Sequence, residues 1–100
     1  VGGAHGGQKN VVYEVQLCCF TRSRTPHAED AQDDVYALRD ALVDHLHLDR
    51  TLGGAVFEAG EHVDGGSGSI DFEYGQPETK AELTKSFLLM TFPALEIINA

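Results

Sequence analysis

Asp40, Asp44 and His47 are spaced i, i+4 and i+7, an interval that brings side chains to one face of a helix. Two carboxylates and an imidazole are ligand types that suit a divalent ion. No second segment supplies a partner for the trio, and a solvated acidic helix face accounts for the same residues, so no metal is expected. For nucleophilic catalysis the chain offers Ser67, Ser69, Cys18 and Cys19 as nucleophiles and five histidines as bases. These residues form no GxSxG elbow, and the histidines are scattered over the opening stretch, the helix ends and the hairpin expected after the helix. Residues 65–69, GGSGS, have the composition of a phosphate-cradling loop but lead into a strand pattern, which has no helix N-terminus to receive an anion. Residues 64–73, DGGSGSIDFE, lack the second and third carboxylate positions of an EF-hand loop. The expectation is a non-enzyme without cofactor.

The element that carries the acidic trio is a helix over residues 26–48. Thr25 caps it, Pro26 suits its first position, Glu29 and Asp30 favour its positive end, and His45, His47 and Arg50 favour the negative end. Gly53 and Gly54 supply backbone freedom beyond it. Ala28, Ala31, Val35, Leu38, Leu42 and Leu46 fall on one stripe that must be buried, with Ala41 and His45 along its edge. Glu29, Asp33, Ala37, Asp40, Asp44 and His47 project from the other side.

Strands are expected over 11–21, 55–63, 69–75 and 85–98. In the first, Tyr13, Val15, Leu17 and Cys19 alternate with Glu14, Gln16 and Cys18, the period of a half-buried strand. Val12 and Phe20 put apolar side chains on its nominally polar face, which suggests a contact with another subunit. Residues 64–68, DGGSG, hold three glycines and predict a hairpin between the second and third strands. Ile70, Phe72 and Tyr74 share the inner face of the third, Ala55, Phe57 and Ala59 alternate with Val56 and Glu58 in the second, and Gly60 marks a bulge. The apolar run 87–90 suits a central strand, which must end, bulge or lie at an edge at Pro93. Pro77 to Lys85 is open to a helical turn. The predicted fold is α+β: an antiparallel sheet of about four strands with one long amphipathic helix packed on one face. Residues 1–10 read as a flexible Gly-rich arm and 11–100 as a single domain.

The 16 acidic and 7 basic residues give a net charge of −9. Residues 29–50 hold seven acids and residues 58–73 five. Phosphate binding needs clustered Lys and Arg, so specific nucleic-acid binding is disfavoured. Arg22 and Arg24 are the only close basic pair in the chain. They are candidates to meet acids of a neighbouring copy, with Asp33, Asp40 and Asp44 among the partners. No apolar run approaches a membrane span. Adjacent cysteines close only a strained ring and read as reduced thiols.

Tyr13 to Leu17 (YEVQL), Glu29 to Asp44 (EDAQDDVYALRDALVD) and Leu52 to Gly54 (LGG) ahead of a strand resemble the tail terminator family of long-tailed, siphovirus-type phages, as found in actinobacterial phages. The resemblance spans about four fifths of the chain and transfers no residue-level site. It implies a virion protein, assembled in the host cytoplasm, that forms a hexameric ring on the tail tube, stops its polymerisation and docks the head connector or stopper. Its partners would be itself, the tail tube protein and the connector, with DNA passing through unbound and no membrane involved. Family members carry a further N-terminal helix and strand, so the opening VGGAHGGQKN, without Met, is expected to be a trimmed start. Other connector or tail completion proteins fit the same pattern. The rival of another class is a small dimeric α+β ligand-binding or regulatory domain, which would need a concave apolar pocket.

Overall fold

The computed structural model describes residues 8–24 and 27–99. It is an α+β fold, one helix packed on an antiparallel sheet of five strands. The elements run β1 (Gln8–Ser23), α1 (Ala28–Leu48), β2 (Glu58–Ala59), β3 (Asp71–Tyr74), β4 (Glu78–Lys80) and β5 (Leu83–Asn99). Gln8, Lys9 and Asn10, expected in the arm, open β1. The rest of the arm, and the expected cap residues Thr25 and Pro26, lie outside the described residues.

The long apolar strand β5 organises the sheet. β1 runs along one of its edges. The Tyr13 hydroxyl donates to Glu96, and the Phe20 ring packs tilted against that of Phe87, so the two strands run antiparallel. Three short strands pair with β5 in succession: Glu58↔Leu95 and Ala59↔Ala94, then Asp71↔Thr91 to Tyr74↔Leu88, then Glu78↔Lys85 to Lys80↔Leu83. The expected hairpin between residues 55–63 and 69–75 is therefore corrected. Both segments pair with β5, and among the described residues the hairpin is β4–β5, whose register leaves a two-residue loop at Ala81 and Glu82. Pro77 to Lys85 accordingly holds strand, turn and strand with no helical turn. Ala81 takes φ 56°, the left-handed region that a glycine would mark in a sequence, which is why the loop was hidden.

Pro93 neither ends β5 nor makes it an edge. The strand runs through it, and the break falls on the partner side. The amide of Gly60 (φ 113°) donates to the Pro93 carbonyl at 2.9 Å, but proline has no N–H to return the bond. β2 stops there, and the chain turns over the proline: a Cβ on Gly66 would lie 2.7 Å from Pro93 Cβ.

The chain divides into two compact units. One holds the described residues up to Val15, Leu46–Ile70 and those from Phe92 on, with Leu46, Ala59, Val63, Phe92, Ala94 and Leu95 as its core. Here Asp49 organises the exit from α1: its carboxylate accepts from the amides of Thr51 and Gly53 at 3.0 and 2.8 Å, while Leu52, Gly53 and Gly54 turn in the left-handed region. The stretch expected to extend as a strand from residue 55 is therefore turn until Glu58, and Phe57 is exposed rather than inward.

The other unit is Gln16–His45 with Asp71–Thr91. Ala31 and Val35 of α1 pack against a face carrying Thr84, Ser86, Leu88 and Met90 of β5, all buried. The predicted helix face holds: Ala31 and Val35 here, and Leu46 in the first unit, are buried, Leu38 and Leu42 are half-buried, and the acidic side is exposed. The Ser23 hydroxyl donates to Asp34 at 2.6 Å, so Ser23 faces α1. By alternation Cys18, Phe20 and Arg22 lie on the other face of the sheet. In β1 the parity is as expected, but Tyr13 and Leu17 remain at least two-fifths exposed because β1 lies at the end of the strand order.

Candidate subunit interface

The polar residues that the sequence puts forward separate into different arrangements. Asp40 accepts from Arg39 Nε and Nη2 at 3.1 and 3.0 Å. Arg39 also donates to the Tyr74 hydroxyl at 3.0 Å and lies over the Tyr36 ring, which meets Tyr74 edge-on. Asp40 is thus partly neutralised within its own chain, whereas Asp33 and Asp44 are exposed on α1 with no arginine partner of this kind among the described residues. His47 turns instead to Glu61, at 3.1 Å. Among the described residues no group of three His, Cys, Asp or Glu side chains is placed to hold a metal ion.

Glu61 was not legible as a functional or structural centre. Arg50 Nη2 donates to its Oε1 at 2.8 Å, and His62 approaches at 3.5 Å. The Arg50 hydrogen bond outweighs desolvation and holds the Glu61 carboxyl down to a pKa of about 2. This cluster ties the residues after α1 to those after β2, so its evident role is structural.

The candidate contact residues fare differently. Phe20 is 79 % exposed, the ring standing 5.4 Å from that of Phe87. Val12 is 40 % exposed, and a Cβ on Gly65 would rest 3.6 Å from its Cγ2, so part of it already contacts the 60–70 loop. Arg22 and Arg24 are exposed at the end of β1. The fold adds to them two bases from far along the chain. Open hollows of about 480, 450 and 320 Å³ all share Arg22, lined respectively with Phe20, Thr21 and Lys85, with Glu78, Lys80 and Lys85, and with Arg24 and Glu82.

Arg22 and Arg24 are the only close basic pair along the sequence, and the fold brings further bases to them. Four of the seven basic side chains, Arg22, Arg24, Lys80 and Lys85, meet at this end of the unit, interrupted by Glu78 and Glu82. The interruption matters, because a phosphate-tracking surface is a continuous basic stripe. In the same unit the exposed side of α1 presents Glu29, Asp33 and Asp44, with Asp40 beside Arg39. One unit therefore carries two unlike surfaces of opposite charge.

Against this geometry, comparison with protein-family models, with curated proteins and with solved structures finds no match.

Proposed function

We propose that this chain is a structural subunit that assembles head to tail into a ring, a tail terminator of a phage neck that caps the tail tube and joins it to the head connector. The observation that carries the reading is the pair of complementary surfaces on one unit. A ring needs two different patches that fit one another, and rotation closes the set. The Arg22, Arg24, Lys80 and Lys85 end and the Asp33, Asp40 and Asp44 side of α1 are such patches. Exposed opposite charges of this kind steer association and fix its register more than they add affinity. The likeness of YEVQL, the acidic helix core and LGG to tail terminators supplies the biological setting. The net charge of −9 suits a lumen through which DNA passes without being held.

The test is charge reversal at the basic patch. Arg22→Glu with Arg24→Glu weakens assembly, and more so at low salt, where the introduced repulsion is least screened. Unchanged assembly of the double variant at low salt would remove the charge pairing from the account.

A further inference from the structure

Of the eight aspartates in the chain, only Asp64 is followed by glycine. An aspartyl side chain is open to attack by the main-chain nitrogen of the next residue, which closes a five-membered imide. A side chain on that next residue screens the nitrogen, whereas a glycine leaves it bare. The fold closes this route at the other aspartates. Five lie in α1, where the following amides are held in the helix ladder, as that of Ala31 is on the His27 carbonyl. The Asp49 carboxylate accepts from the Thr51 and Gly53 amides, and Asp71 is paired with Thr91 in the sheet.

At Asp64 the fold does the opposite. Val63 to Gly66 form a tight turn: the Gly66 amide donates to the Val63 carbonyl at 3.1 Å, with Asp64 and Gly65 as the central residues. Gly65 has φ 83°, the value that a type II turn requires at its third residue. The turn bond is made by Gly66, so the Gly65 amide takes no part in it. Asp64 and Gly65 are both exposed. A glycine at 65 also lets the intervening peptide plane rotate, which brings the Gly65 nitrogen toward the Asp64 carboxyl carbon. The next residue, Gly66, is seated on Pro93, with 2.7 Å between the proline Cβ and the place that a Cβ would take.

We propose that Asp64–Gly65 is a site of spontaneous covalent modification, at which the chain isomerises to isoaspartate and gives up the seat of Gly66 on Pro93. The Gly65 nitrogen bonds to Asp64 Cγ. The amide loses its hydrogen and the carboxyl its hydroxyl, which leave together as one water. Water then adds back to the imide. Breaking the bond from the nitrogen to the main-chain carbonyl carbon leaves the chain running through Cβ and Cγ, with the former carbonyl as a free carboxylate. No oxidant or cofactor enters, and the atoms gained equal those lost. The main chain is then longer by one methylene between the buried Val63 and Gly66, so the turn bond and the proline contact are not both kept. The site contains none of the charged residues of the proposed ring contact and goes beyond that reading.

For the test, the full chain is held for several weeks at neutral pH and physiological temperature. It is then treated with isoaspartyl methyltransferase and radioactive S-adenosylmethionine, which label the new carboxylate. The label should grow with time, map to the peptide holding Asp64, and be accompanied by a species lighter by one water. Asp64→Glu, in which closure needs a slower six-membered imide, should lose the label and keep the circular dichroism spectrum. Ageing should lower the urea midpoint of the parent and leave that of Asp64→Glu in place. An unlabelled Asp64 peptide, label at another aspartate of the folded chain instead, label that persists in Asp64→Glu, or an equal loss of midpoint in both chains would overturn the proposal.

Discussion

Arg50 and Glu61 form an ion pair at 2.8 Å that fastens the segment after α1 to the segment after β2. Glu61 is pulled from an ordinary carboxyl value to about 2, first by the Arg50 hydrogen bond. A depressed carboxyl stabilises the folded state above its unfolded pKa and loses that contribution as pH falls through the folded one. The window is thus about pH 4.5 down to about 2. Glu61→Gln should flatten the melting temperature against pH across that window. At neutral pH it should cost about 1 kcal/mol or less, as for a partly exposed pair. Thermal melts at a series of pH values check this.

Leu88 is fully buried opposite Tyr74 on the face that meets α1. Leu88→Ala should cost about 2–5 kcal/mol, read as a shift in the urea midpoint at constant slope. Val35→Asp, which puts a charge at a 3 % exposed position of α1, should prevent folding of the unit.

Gly66 stands where a methyl group would collide with a proline ring and cannot be relieved by a flexible chain end. Gly66→Ala should destabilise by about 1–3 kcal/mol. Ala81 has the reverse problem, a left-handed backbone with a side chain that disfavours it. Ala81→Gly should therefore stabilise by about 0.5–1 kcal/mol. Denaturant unfolding of both variants tests the account of the two turns.

What was legible in the sequence was what depends on local period. The stripe Ala31, Val35, Leu38, Leu42, Leu46 identifies the buried side of α1 because a helix repeats every 3.6 residues whatever it packs against. Which strand pairs with which is decided by long-range competition. Residues 64–68 have hairpin composition, yet β2 and β3 each pair with the longer, more apolar β5, and Pro93 separates their places along it. The basic patch was hidden for the same reason, since Lys80 and Lys85 reach Arg22 only through the β4–β5 hairpin and the pairing of β5 with β1. Glu61 gave no signal because its partners, Arg50 and His47, are brought to it by the turns that follow α1.

The trio Asp40, Asp44 and His47 shares a helix face in the sequence, but Asp40 faces Arg39 and His47 faces Glu61. Elemental analysis of the purified protein should find no stoichiometric zinc, calcium or iron, and adding these ions should leave the melting temperature unchanged. A one-to-one metal content would reassign that face.

As proposed, the chain closes head to tail into an assembly that terminates a tube. Native mass spectrometry of the unaltered chain, followed by electron microscopy with purified tail tubes, addresses it most directly. The result expected is a discrete closed ring, of about six copies as the resemblance to tail terminators implies, seated at the end of a tube that no longer grows. A chain that stays monomeric at high concentration and leaves tubes uncapped would contradict it.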